Sequence, residues 1–142
     1  MTAENFLEGY KKIDTIIKNK ESKRASLEAA AVSVTSHLNP DKVQTSGSKQ
    51  KMAESVNEAL DLTKEIEALE PQRTQIRHEI ESVIEKLPLL RYTILFKKYI
   101  EFWEDQEIAD AVDRVKDTVK RQTEIALKEV QHILDEKCDK IS

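Results

Sequence analysis

The chain has 142 residues and a formal net charge of −4; charged side chains make up 35% of it and aromatic ones 5%, with two glycines and three prolines. This composition is typical of proteins built from long helices or coiled coils. The two glycines, Gly9 and Gly47, are too few for a glycine-rich phosphate loop or a dinucleotide-binding fingerprint. We therefore expect an all-α protein and exclude the nucleotide-fold enzymes.

The sequence contains no targeting or membrane signal. Its first residues mix acids and lysines where a secretory signal needs an unbroken apolar run, and nowhere do about 18 apolar residues run together. Cys138 is the single cysteine and cannot form an internal disulfide, which fits a reducing compartment. We therefore expect a cytoplasmic protein that makes no membrane contact. The negative net charge means that any nucleic-acid contact must come from a local patch.

Residues 3–38 carry the clearest periodicity in the chain. Apolar side chains recur at alternating steps of four and three, which is the spacing of a heptad seam, and Lys20 and Arg24 interrupt the seam at its middle. These two basic residues are expected to snorkel, to pair with a facing acid or to fix the register. The seam consists of Phe6, Tyr10, Ile13, Ile17, Lys20, Arg24, Leu27, Ala31, Val34 and Leu38.

A second long helix is predicted over residues 50–87. It follows a polar connection, residues 39–49, whose Asn-Pro step sets a turn and whose remainder is permissive backbone. Pro71 lies inside this helix and predicts either a kink near residues 68–70 or the start of a separate helix.

The two long helices are expected to pair with each other. Residues 1–38 hold six basic and five acidic side chains, whereas residues 52–87 hold four basic and nine acidic ones, so the second helix offers acids to the first. We therefore predict an antiparallel coiled-coil hairpin over residues 1–87. Because a hairpin buries only one stripe per helix, packing against the C-terminal region or against a second copy would add stability, and of the two a homodimer is favoured.

Residues 88–142 are predicted to form a separate domain of three shorter helices. The first runs over residues 88–100, and the sequence EFWED separates it from a second helix that Glu104 or Asp105 caps. Residues 113–116 connect this short helix to a final longer one. The order is that of a helix-turn-helix. The apolar positions are Leu89, Leu90, Ile94, Leu95, Tyr99, Ile108, Ala109, Val112, Val119, Ala126, Leu127, Val130, Ile133 and Leu134.

These residues carry a family resemblance. Glu107-Ile108-Ala109, Val112, Thr118-Val119 and Ala126-Leu127, with Ile94, Leu95 and Tyr99 ahead of them, fall at a spacing that resembles region four of bacterial sigma factors and the related sigma-like helix-turn-helix proteins. The match covers about residues 88–134. A coiled-coil half followed by this module resembles the small phage-encoded transcriptional regulators of the RinA and ArpU type.

The resemblance implies a phage or prophage regulator in the bacterial host cytoplasm. It implies promoter DNA, as a double strand, as the partner of the helix-turn-helix, and a hairpin that serves for dimerisation or for docking to RNA polymerase. The last helix would enter the major groove by its N-terminal turns, with Val119 pointing inward. The residues presented there would be Lys116, Asp117, Thr118, Lys120, Arg121 and Gln122.

Side-chain chemistry assigns different roles within this set. Arg121 and Gln122 are the types that make paired hydrogen bonds to guanine and adenine edges, and lysines suit phosphate oxygens. The resemblance also implies that Lys97 and Lys98, on the preceding helix, would reach the adjacent DNA backbone. Against DNA binding, residues 88–142 hold ten basic and twelve acidic side chains. The alternative is therefore a coiled-coil interaction protein that binds no DNA and whose degenerate helix-turn-helix packs as a structural element.

The turn departs from the family pattern. The family usually has a glycine there, followed two residues later by a serine that caps the recognition helix, and this chain has Asp113 and Val115 instead. Aspartate tolerates the left-handed conformation, so the turn is expected to form. Asp117 would supply the cap if the last helix starts one turn late.

No catalytic or metal-binding pattern is present in the sequence. His37, His78 and His132 are far apart, and one cysteine provides no zinc quartet. We expect no metal, no cofactor and no catalytic residues, hence not an enzyme. The adjacent pair Phe102 and Trp103 is interpreted as a hydrophobic plug between the third and fourth helices.

Overall fold

The structure, a computed structural model, describes residues 1–36 and 46–141, with side chains described over residues 1–32 and 50–138. The described residues contain no strand, so the predicted all-α class is confirmed. Their helices are α1 (Ala3–Ser36), α2 (Ser46–Ile84), α3 (Leu89–Leu95), α4 (Asp105–Val112) and α5 (Lys116–Ile141), and a π-helical segment, Phe96–Ile100, directly follows α3.

The chain forms two compact units, and α1 and α2 each contribute to both. One unit is Asp14–Gln72, and the other combines Met1–Ile13 with Arg73–Ser142. The separate folding of residues 88–142, expected from the sequence, stays a prediction.

Within the unit Asp14–Gln72, α1 and α2 run in opposite directions. Lys20 Nζ lies 2.8 Å from Glu65 Oε2, and Arg24 Nη1 donates to Thr63 Oγ1 over 3.2 Å. The later residue of α1 thus contacts the earlier residue of α2, as expected for antiparallel helices. Lys20 therefore pairs with a facing acid, one of the roles expected for it. Its hydrogen bond and charge hold the pKa of Glu65 below the ordinary value. The buried side chains here are Asp14, Ile17, Ala59, Leu62 and Ile66.

The buried stripe of α1 is shifted from the predicted seam at its start. Tyr10, Ile13 and Ile17 are buried as predicted, but Leu7 is fully buried whereas Phe6 is only half-buried. The buried residues Ala3, Leu7, Tyr10, Asp14 and Ile17 follow the same alternation of four and three in a neighbouring register, and the packing partners on α2 decide between the two. The predicted seam residues Val34 and Leu38 lie outside the residues whose side chains are described.

The predicted bounds of the second helix, residues 50–87, and of the connection, residues 39–49, are wrong at two places. The helix already begins at Ser46, because serine and glycine lower helix stability by only about 0.5–1 kcal/mol each. It ends at Ile84, where the Lys86 and Leu87 amides turn back to the Val83 and Ile84 carbonyls at 3.2 and 3.0 Å, ahead of Pro88, which disfavours helical backbone before it. The rest of the predicted connection, up to residue 45, lies outside the described residues.

Pro71 does not divide α2. The helix runs through this residue, so the alternative of a separate helix beginning at Pro71 is wrong. Proline removes one backbone hydrogen bond, and the remaining turns on both sides hold the helix together. The boundary between the two compact units falls between Gln72 and Arg73, immediately after this proline.

The unit that contains both chain ends has two hydrophobic clusters. The first joins the start of α1 and the end of α2 to the π-helical segment and α5, through Leu7, Ile84, Leu95, Ile100 and Val130 among others. The second joins α3, α4 and the start of α5 through Ile94, Ile108, Ala109 and Val119. Neighbouring residues of α3, Ile94 and Leu95, thus enter different clusters. α5 packs on both α3 and α4 and is held by both clusters.

The two aromatic residues predicted to form one plug part from each other. Phe102 adopts a left-handed backbone with φ of 63°, and its ring stacks on Tyr10 with centroids 5.7 Å apart. Trp103 packs instead against the second cluster, and its amide donates to the Lys97 carbonyl over 2.9 Å. A bulky residue rarely has positive φ. Phe102 reverses the chain between the π-helical segment and α4, so the two rings reach different cores.

Candidate nucleic-acid interface

The short helix α4 is fixed at its start by a capping arrangement. Glu104 occupies the N-cap position in extended backbone, so of the two predicted caps it is Glu104 rather than Asp105. Its amide donates to the Glu107 side chain over 3.3 Å, which satisfies a donor left over by the helix. Ile108 and Ala109, in the next turn, are fully buried. The cap and this buried pair set where α4 begins relative to the second cluster.

The turn between α4 and α5 forms around a left-handed aspartate, as predicted. Asp113 has φ of 57° and ψ of 48°, and its amide points to the Ala109 carbonyl, which also accepts from the Arg114 amide over 3.0 Å. Two donors on one carbonyl close α4 in the way that a glycine usually does. The aspartate therefore closes the tight turn between α4 and α5 without glycine.

The last helix does not start late, so capping of a delayed helix by Asp117 is wrong. α5 begins at Lys116, and the Val119 amide donates to the Val115 carbonyl over 3.2 Å. Only Arg114 and Val115 separate Asp113 from the first residue of α5, so the first turn of this helix is formed rather than unwound. Asp117 lies in the first turn of α5, where the helix dipole favours a carboxylate.

The predicted DNA-contacting residues lie on the first two turns of α5. Val119 is fully buried, as expected for an inward position. Lys116, Asp117, Lys120 and Arg121 are exposed, whereas Thr118 and Gln122 are half-buried. Within the described part of the chain, Lys116, Lys120 and Arg121 make no ion pair. The three charges therefore project into solvent from one end of a helix whose opposite face is anchored.

Two residues of the turn extend this surface and were not singled out from the sequence. Arg114 is exposed and donates to the Asp113 carbonyl over 3.1 Å, and Val115 keeps 68% of its surface exposed. In the sequence both residues lie in the predicted turn between two helices. A position in a turn does not by itself predict that the side chain is exposed. We name Arg114, Lys116, Lys120 and Arg121 the basic tip. The exposed acids near it are Asp113, Asp117 and Glu124.

Gln122 differs from the rest of the predicted set because its oxygen is already used. Arg91, on α3, donates through Nε to Gln122 Oε1 over 2.9 Å and through Nη1 to Glu129. Arginine has donors only, so the amide atom facing it must be the oxygen. The paired bond to adenine expected from the residue type needs that oxygen as an acceptor. Arg91 occupies one of the two lone pairs of that oxygen and holds the amide toward α3, which competes with the paired bond to adenine.

Lys97 and Lys98, predicted to reach the DNA backbone, are engaged within the protein. Lys97 Nζ lies 4.0 Å from the centroid of the Trp103 ring and 3.8 Å from Glu101 Oε1. Lys98 Nζ lies 3.4 Å from Asp105 Oδ1. Both side chains are half-buried. They tie the π-helical segment to Trp103 and to nearby acids, and their charges therefore have partners within the protein.

The other singled-out residues assemble no second site. His78, His132 and Cys138 are exposed, and His37 lies outside the described residues. Groups of three or more histidine, cysteine or acidic side chains suited to a metal ion are absent from the described ranges. No helix within the described ranges has the length and apolarity needed to cross a membrane.

Tyr99 has a shifted pKa. Burial, with nearby Glu4, Glu8 and Asp105, raises the pKa of Tyr99 to about 12.

The site thus consists of a left-handed turn, a buried anchor and the basic tip on the first two turns of α5. The chain has no significant match among family models, curated proteins or solved structures.

Proposed function

We propose that the protein is a DNA-binding transcriptional regulator of phage or prophage origin, in which α4 and α5 form the helix-turn-helix and α5 enters the major groove. One observation carries the proposal. The left-handed turn at Asp113 sets α4 against α5, and α5 then presents Lys116, Lys120 and Arg121 to solvent, unpaired within the described residues, while Val119 holds its inner face.

This arrangement suits a duplex in two ways. Exposed cations with no internal partner gain most from phosphates, because they release condensed counterions without breaking an ion pair. Arg121 lies on the outward face of the helix, where a guanidinium can make the paired bond to guanine. Val115 adds an exposed apolar group of the kind that contacts the thymine methyl. Lysines supply affinity, and Arg121 with Val115 supplies selectivity.

The hairpin of α1 and α2 has a supporting role in this proposal. A dimer would place two helix-turn-helix modules on the two halves of a DNA site, as such regulators usually do. The other role proposed for the hairpin is docking to RNA polymerase. Light scattering on the full chain at tens of micromolar separates the two, because a strictly monomeric mass removes the dimer.

The test is retention of duplex DNA by the full chain across a salt series. Fluorescence anisotropy with labelled mixed-sequence duplexes should give binding at low salt that falls steeply as salt rises. The triple variant Lys116→Ala, Lys120→Ala, Arg121→Ala should lose most affinity, with a salt slope lower by about one unit per lost phosphate contact. The matched control removes three exposed lysines elsewhere, Lys12, Lys51 and Lys64, and should bind like the unchanged protein. A protein that retains no duplex at low salt contradicts the proposal.

A second candidate function is favoured by the internal use of charge. Arg91, Lys97 and Lys98 all pair within the protein, and residues 88–142 are net acidic. These features suit an interaction protein whose three short helices act as a structural element and which binds no DNA. Under that reading, the triple variant and its control would behave alike in every DNA assay, and only protein partners would be affected.

A further inference from the structure

A shallow apolar groove lies on α5, beside the turn that follows α2. Its volume is about 380 Å³. Its floor is Leu87, Ile125 and Ile133, and its rim carries Lys86, Lys128 and His132. We name it the α5 groove. None of these residues belongs to the basic tip.

The floor has the length of a short helical contact. Ile125 and Ile133 are eight residues apart on α5, which is about 12 Å along the helix axis. Both are half-buried, and Leu87 closes the floor from the side of the turn. An amphipathic helix laid along such a groove places apolar anchors at positions i, i+4 and i+7. The apolar floor therefore matches about two turns of a partner helix.

The rim selects the charge of that partner. Lys86 and Lys128 are exposed, and neither makes an ion pair within the described residues. Glu129, which also lines the groove, is bound by Arg91 and is thus neutralised inside the protein. His132 lies 2.9 Å from Glu136, so the two side chains satisfy each other. Among the residues that line the groove, the charges without an internal partner are those of Lys86 and Lys128, and both are positive.

We propose that the α5 groove binds an acidic amphipathic helix of a partner protein. Aliphatic side chains of that helix would cover Leu87, Ile125 and Ile133, and its carboxylates would meet Lys86 and Lys128. Complementary charge across an apolar contact gives specificity and speeds association. This inference does not rest on DNA binding, because the groove and the basic tip share no residue.

The test uses a labelled synthetic peptide and the full chain. The peptide carries leucines at i, i+4 and i+7, glutamates beside them and alanines elsewhere, and its match carries lysines in place of the glutamates. Fluorescence anisotropy should show binding of the acidic peptide, at least about tenfold weaker binding of the basic one, and weakening with salt. Equal binding of the two peptides, or binding of neither, overturns the proposal.

Two pairs of variants locate the contact. Lys86→Glu with Lys128→Glu should weaken binding of the acidic peptide at least about tenfold, whereas Lys51→Glu with Lys64→Glu, the same change in charge at exposed positions elsewhere, should not. All four are surface lysines, so the helical circular dichroism should be unchanged. If both pairs weaken binding equally, the attraction is general and the groove is not the site.

A third variant tests the apolar floor, and a measurement of mass tests self-association. Ile125→Gln should reduce binding of the acidic peptide while leaving the DNA salt series unchanged. A loss with Ile125→Gln but none with the lysine reversal would show an apolar contact without acidic selection and would overturn the proposal. A dimer abolished by the same groove variants would show that a second copy fills the groove, which also overturns it.

Discussion

Arg91 on α3 is bonded to Gln122 on α5, with 2.9 Å between its Nε and the Gln122 Oε1. The same guanidinium reaches Glu129, almost two turns further along α5. The guanidinium thus joins two turns of α5 to α3. Val119, fully buried on the same helix, anchors its inner face, and Arg121 lies on the exposed side.

Removal of Arg91 should destabilise the protein measurably. Arg91→Ala leaves the half-buried Glu129 and Gln122 without their shared donor, and we expect the free energy of unfolding to fall by about 1 kcal/mol, since the network is partly solvated. Urea denaturation followed by circular dichroism measures it. Arg114→Ala, which removes an exposed arginine from the turn, is the control and should change stability by less than about 0.5 kcal/mol. Equal losses would show that the network adds nothing.

The same arginine predicts a change in base preference. In the unchanged protein Arg91 holds the Gln122 amide toward α3, so selection of adenine by Gln122 should be weak. In Arg91→Ala the oxygen is released and a preference for adenine should appear at one position of the bound site. Selection of bound duplexes from a randomised pool measures this. The double variant Arg91→Ala, Gln122→Ala is the control, and an adenine preference that persists in it would contradict the role given to Gln122.

The half-buried phenol of Tyr99 predicts a loss of stability at alkaline pH. Burial raises the pKa of Tyr99 from its ordinary value of 10.0 to about 12. A raised pKa in the folded state means that stability is complete below the unfolded value and is lost as pH rises through the folded one. Tyr99→Phe should therefore flatten the fall in urea midpoint between pH 10 and pH 12. Identical slopes in Tyr99→Phe and the unchanged protein would contradict the assignment.

Local features of the fold could be predicted from the sequence because they depend on neighbours along the chain. The left-handed Asp113, the cap at Glu104 and the inward direction of Val119 each follow from backbone preferences or helix spacing within about one turn. The exact start of the buried stripe could not be predicted, since Phe6 continues the predicted register and Leu7 belongs to a neighbouring register that alternates by four and three as well. Which of them is buried depends on α2, far along the chain.

Features that depend on packing at a distance could not be predicted. The bond between Arg91 and Gln122 joins residues 31 apart and exists only once α3 crosses α5. Similarly, the capture of Lys97 by Trp103 follows from the left-handed backbone of Phe102, which no propensity favours for a bulky ring. The family resemblance together with residue type suggested DNA contacts for Lys97 and Gln122, and the fold gives both of them internal partners. The DNA-binding role of the exposed set stays a prediction.

Substitutions of the left-handed Asp113 distinguish the effect of its backbone conformation from the effect of its charge. Asp113→Asn tolerates the same φ of 57° and removes an acid beside the basic tip, so stability should be unchanged while DNA affinity rises several-fold at low salt. Asp113→Gly should raise the free energy of unfolding by up to about 1 kcal/mol, because glycine adopts the left-handed backbone without the steric cost of a side chain. The gain in DNA affinity should be the same as for Asp113→Asn. Asp113→Val also removes the charge, yet a β-branched residue opposes this backbone, and both stability and affinity should fall. Thermal melts and anisotropy on the three variants measure both properties; affinity that follows charge alone would show that the turn does not set the DNA-facing geometry.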